Sequence, residues 1–106
     1  MIKVTKIENE CGETAGFRIF GHARYARFGK DIVCAAVSAL ALNTINSIHE
    51  FTEDKYSCRQ DEKEGLIEFI IVSDISKESA LLLNALFLGL KGIEQNYGER
   101  FITVTA

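Results

Sequence analysis

Asp31-Ile32-Val33-Cys34-Ala35-Ala36-Val37-Ser38-Ala39-Leu40-Ala41-Leu42, running on through Ile45 and Ile48 to Phe51, is the stretch on which the reading of the fold turns. Its apolar residues recur at helical spacing for longer than a strand runs, so the spacing predicts a helix over residues 31–51. A second helix, over residues 77–97, carries Leu81, Leu82, Leu83, Ala85, Leu86, Phe87, Leu88 and Leu90. Before the first helix, residues 2–8 and 14–20 read as strands joined by a turn at Gly12-Glu13. Between the helices, residues 55–60 and 66–73 read as another pair, joined by a turn at Lys63-Glu64-Gly65, and residues 101–105 as a last strand. The order ββαββαβ is that of an α+β two-layer sandwich, a mostly antiparallel or mixed sheet with two helices.

A single domain over residues 1–106 follows, since no linker, repeat or low-complexity stretch divides the chain. With 12 Lys and Arg against 15 Asp and Glu, the net charge of −3 argues against a direct nucleic-acid footprint. The opening Met1-Ile2-Lys3-Val4-Thr5-Lys6 lacks the apolar core of a signal peptide, and the apolar stretches read as interrupted before they span a bilayer. A cytoplasmic address with no membrane partner is therefore expected. Asp61-Glu62-Lys63-Glu64 reads as a solvated turn. Both helices are apolar over more of their surface than one sheet face needs, which points to a two-fold homodimer, with a thick monomer core as the other reading.

The chemistry lies at the start of the first helix. Asp31 stands where a short acidic side chain accepts first-turn amide hydrogens, which makes it the expected N-cap and puts Cys34 at the third helical position. Unpaired amides and the positive end of the helix dipole favour a thiolate there, against the nearby Asp31 carboxylate. His22 follows the strand Gly16-Phe17-Arg18-Ile19-Phe20 and Gly21, so it heads a loop. Residues Ala23 to Lys30, with Gly29 as hinge, are long enough to fold back and set the imidazole beside Cys34. Histidine is the usual base for a thiol nucleophile, and helix amides beside the sulfur stabilise an oxyanion on an attacked carbonyl. Ser38, one turn after Cys34 on the same face, either orients a neighbour or bonds back to the carbonyl four residues earlier.

Each element also has a plainer reading. A cysteine between Val33 and Ala35 is, taken alone, more often a small buried hydrophobe. A single His-x11-Cys pair falls short of the three or four ligands zinc needs, and Gly29-Lys30 lacks P-loop spacing, so neither a metal nor a cofactor is expected. Three cysteines in this setting read as reduced thiols, and Cys11 and Cys58 lack the helix N-terminus that distinguishes Cys34. His49, near the end of the first helix, is expected to meet the helix C-terminus and solvent.

Gly21-His22-Ala23, Tyr25, Gly29 and the run Asp31 to Ala39, with the chain length, the opening strand and the long second helix, resemble the bacterial ribosomal-processing cysteine protease family, Prp. The resemblance covers essentially the whole chain. It implies that His22 and Cys34 form a catalytic dyad, supported by Gly21, Gly29, Asp31 and Ser38. It also implies an endopeptidase that removes a short N-terminal extension from the twenty-seventh large-subunit ribosomal protein. For such an enzyme the loop of residues 22–30, carrying Tyr25 and Phe28 with Gly29 as hinge, is expected to close over the substrate and bring His22 into line. Arg24, Arg27 and Lys30 depart from the family's acidic or small loop and bear on the residues preferred around the cut. Two other classes stay open on the residues themselves: a non-catalytic ribosome-assembly or ribosomal-protein-binding factor, and a thiol redox sensor should Cys58 approach Cys34.

Overall fold

Alternation makes the first strand: in β1 (Ile2–Glu8) Ile2 and Val4 are buried while Lys3 and Thr5 are exposed. A tight turn then reverses the chain, with the Asn9 side-chain oxygen accepting from the Cys11 and Glu13 amides at 3.0 and 2.9 Å and Gly12 at φ 80°. β2 (Thr14–Phe20) pairs antiparallel with β1. After α1 (Ile32–Phe51), β3 (Tyr56–Asp61) and β4 (Leu66–Ile71) form the second hairpin, and α2 (Lys77–Tyr97) leads into β5 (Ile102–Thr105). The computed structural model describes residues 1–22 and 32–105. The order ββαββαβ is the one expected, with β3 starting and ending one residue later, β4 ending two residues earlier and β5 starting one residue later than the sequence pattern predicts.

The sheet order is β3-β4-β2-β1-β5, antiparallel throughout except for the parallel β1–β5 edge. Register places Val4 opposite Ile19 and Val104, and Phe17 opposite Phe69. These residues join Val33, Val37, Ala41, Ile45 and Ile48 of α1 and Leu83, Leu86, Phe87 and Leu90 of α2 in one core. Both helices therefore cover the same sheet face. The other face is polar: Arg18 pairs with Glu68 at 3.5 Å and its guanidinium lies 5.1 Å from the Phe20 ring centre.

Against the sequence expectation, α1 is long and apolar enough to cross a bilayer by length and composition. Among its first eighteen residues no Asp, Glu, Lys or Arg interrupts it. Its apolar stripe is instead buried against the sheet. His49, in the last turn of α1, has a partner the sequence reading did not supply: the Tyr56 hydroxyl is hydrogen-bonded to its Nδ1 at 2.9 Å.

Ser76 caps α2, its hydroxyl accepting from the Ser79 amide at 3.1 Å. Asp54, just before β3, in turn accepts from the Ser76 amide at 2.9 Å and hydroxyl at 2.8 Å. Partial burial opposes ionisation of Asp54, but the Ser79 side chain and the two Ser76 donors outweigh it and hold the carboxyl below its ordinary 3.8. The Ser79 hydroxyl acts there by proximity, since it meets strict hydrogen-bond geometry with no acceptor. Because the folded-state value is lowered, the stabilisation is complete above 3.8 and is lost as pH falls through the lower folded value. Asp54→Ala is expected to cost about 1 kcal/mol at pH 7 in urea unfolding, with the gap from the wild type closing only below 3.8. A gap that stays constant into acid would show that the charge plays no part.

Candidate active site

The sheet order sets β2, β3 and the start of α1 at one end of the sandwich. β2 and β3 both run antiparallel to β4, so their C-terminal ends lie together, next to the first residues of β1 and β4. At that end a cavity of about 290 Å³ opens. Ile2, Ile19, Val37, Leu42, Leu66 and Ile67 give it apolar surface, and Gln60, Asp61 and Glu62 give it a polar, acidic wall.

Gly21, His22, Cys34 and Ser38 all line this cavity. The structure thus brings together four of the six residues singled out by the sequence. Gly29 and Asp31 lie outside the described residues, as do Tyr25, Phe28, the basic Arg24, Arg27 and Lys30, and the expected hinge and N-cap. Cys34 is the third residue of α1, half-buried and packed against the core. His22 is exposed, immediately beyond the end of β2. Cys58 and Cys11 are both exposed, on the edge strand β3 and in the β1–β2 turn. Gln60 Nε2 lies 3.8 Å from Cys58 Sγ.

The backbone that presents His22 is unusual. Gly21 has φ 99°, a conformation that side chains rarely adopt, and a Cβ there would collide with the Met1 carbonyl oxygen. Its amide donates to Glu64 O at 3.2 Å, and the Met1 nitrogen donates to the His22 carbonyl at 2.6 Å. The β3–β4 turn closes the other side, with His22 Nε2 3.4 Å from Lys63 O. Sequence reasoning saw residues 61–65 only as a solvated turn. Their part in the cavity depends on β4 lying beside β2, a long-range pairing that no local pattern records.

A thiol near a helix start and an imidazole lining the same cavity are groups able to act as nucleophile and proton acceptor. Among the described residues, no group of three or more His, Cys, Asp and Glu is placed to hold a metal ion.

Comparison with known proteins agrees with this chemistry. The profile of the family described as Cysteine protease Prp matches residues 1–102. Ribosomal processing cysteine protease Prp of Staphylococcus aureus is 30% identical over 99 residues, 93% of each chain. The crystal structure of Prp from S. aureus with a covalently linked product peptide superposes with a TM-score of 0.89 at 28% identity, over 99% of this chain and 98% of that one. The same relative with a substrate peptide gives a TM-score of 0.85 at 28% identity, with the same coverage.

Proposed function

The chain belongs to the cysteine protease Prp family, and from that membership we propose that it removes the N-terminal extension of the twenty-seventh large-subunit ribosomal protein during ribosome maturation, using a His22/Cys34 dyad. The observation that carries the reading is the lining of one cavity by both side chains, one from the end of β2 and one from the start of α1. A relative bearing a covalently linked product peptide supports covalent catalysis on peptides.

In this mechanism the Cys34 thiol gives its proton to His22, and the sulfur attacks the scissile carbonyl. The carbon–nitrogen bond breaks as His22 returns the proton to the leaving amine. Water, deprotonated by the same imidazole, then attacks the thioester, and the proton passes back to the sulfur. First-turn amides of α1 face the developing oxyanion. Gly21 holds the histidine backbone, Ser38 shapes the cavity beside Cys34, and Gly29 and Asp31 keep the supporting roles that the family resemblance implies. The apolar cavity surface suits a large apolar side chain of the extension next to the cut.

The test is incubation of the purified protein with the full-length twenty-seventh ribosomal protein of the same organism, read by intact-mass spectrometry. One N-terminal truncation is expected. An unchanged mass together with stable binding would replace the protease by an assembly factor that uses the same groove.

A ribosomal-protein substrate fits action in the cytoplasm, through a protein partner and without direct nucleic-acid contact. The exposed row Leu81, Ala85 and Leu88, one turn apart along α2, supports a homodimer through that helix. Leu81 and Leu88 are 70% and 78% exposed, far above what a thick monomer core would leave.

A further inference from the structure

A catalytic histidine needs a partner that fixes its ring, and among the described residues no Asp, Glu or Asn side chain is bonded to His22. We propose that the β3–β4 turn fills that role: the main-chain carbonyl of Lys63 accepts the Nε2 hydrogen of His22, leaving Nδ1 as the atom that takes the Cys34 proton. The proposal rests on the dyad reading above and assigns within it the two nitrogens and a positioning element.

Three observations carry it. First, His22 Nε2 lies 3.4 Å from Lys63 O. A carbonyl oxygen has no hydrogen to give, so Nε2 must be the donor, and a neutral ring protonated there presents its lone pair at Nδ1.

Second, the turn is fixed on both sides. The Asp61 carboxylate accepts from the Lys63 amide at 3.0 Å and the Glu64 amide at 3.4 Å, and Gly65 N donates to Glu62 O at 3.3 Å. Glu64 O in turn accepts from Gly21 N at 3.2 Å, the amide directly before the histidine. The acceptor and the ring are therefore mounted on one bonded unit.

Third, the turn leaves room for the ring at Gly65. With φ 65°, a Cβ at this position would collide with the Gly21 carbonyl oxygen and stand 3.1 Å from His22 Cε1, the ring carbon between the two nitrogens. The imidazole thus lies against a bare backbone on one side and is tethered at Nε2. An exposed histidine without these contacts is free to sample other rotamers. Among the described residues, the charged groups that line the cavity besides His22 are Asp61, the last residue of β3, and Glu62 of the turn, and Cys34 comes from α1. The carboxylate of Asp61 is already engaged by the amides of the turn.

The test weakens the carbonyl without altering a side chain. Cys58 allows the full chain to be assembled by ligation at Ser57–Cys58, with the Lys63–Glu64 amide replaced by an ester, whose carbonyl is a poorer acceptor. The ester also deletes the Glu64 amide hydrogen that reaches Asp61 at 3.4 Å and keeps the shorter Lys63 amide contact at 3.0 Å. Against the all-amide protein made in the same way, kcat is expected to fall about 10-fold with KM unchanged. Native kcat in a folded ester protein would overturn the proposal.

An independent readout is 15N NMR of Cys34→Ala at a pH where the ring is neutral, with His49→Gln to identify the signal. A ring protonated at Nε2, with that hydrogen slow to exchange, is expected. A ring protonated at Nδ1 would overturn the assignment even if the ester protein failed to fold. Activity surviving in His22→Ala would instead remove the dyad reading on which the proposal stands.

Discussion

Cys34→Ala is expected to leave the ribosomal protein uncut, with kcat lower by about 10,000-fold or more, while the chain unfolds within a few degrees of the wild type. The substitution removes one sulfur atom from a half-buried position on α1 and leaves the neighbouring core residues Val33 and Val37 in place. Its structural cost is below about 1 kcal/mol, so a lost activity cannot be traced to a lost fold. Alkylation of the wild type gives the complementary measurement. Cys11 and Cys58 are exposed and Cys34 is half-buried, so access alone predicts that iodoacetamide labels Cys34 last. A thiolate held by helix amides and an imidazole reverses that order at neutral pH. Cys34 labelled first, and slowed by His22→Ala, is the expected result. Labelling in order of exposure would remove the case for an activated thiol, whatever the family.

Most of the fold was legible because its determinants are local. The helix over residues 32–51 follows from apolar spacing, and the two hairpins follow from alternation interrupted at Gly12 and Gly65, each of which has positive φ. The two residues of the proposed dyad were placed in the sequence by equally local signals, one heading a loop after a strand and the other sitting in a first helical turn. The frame around them was not. That Lys63 O reaches His22, and that Gly65 must lack a side chain because Gly21 and the ring lie against it, both depend on β4 entering the sheet beside β2. Nothing within a few residues of Lys63 encodes that neighbour. His49 shows the same limit on a smaller scale: its tyrosine partner lies across the connection from α1 to β3. The Ser76 cap of α2 was available in the sequence as a serine before a helical run, but its dependence on Asp54, 22 residues earlier, was not.

Phe69→Ala should be the most damaging single truncation in the core. Phe69 is fully buried on β4, the strand that joins the β3 edge to the rest of the sheet. Its ring stacks on Phe17 of β2 at 5.7 Å between centres and lies 4.9 Å from the Tyr56 ring of β3. It therefore links three strands, and through the Tyr56 hydroxyl and His49 it reaches the end of α1. Truncation removes the transfer energy of the ring and leaves a cavity that neighbours on both sides, held by sheet pairing, cannot close. The cost is about 4 kcal/mol, a large part of the roughly 5–15 kcal/mol that holds a domain of this size together. A fall in Tm of about 20 °C is expected by calorimetry. Phe51→Ala is the control, since the same chemistry at a residue 72% exposed should move Tm by at most a degree or two. Because β4 also supplies Leu66 and Ile67 to the cavity, Phe69→Ala should cleave normally well below its midpoint and lose activity together with its fold. A small Tm shift would mean that the β3 edge is not part of one cooperative core. Normal Tm with lost cleavage would instead mean that the ring serves the site rather than the fold.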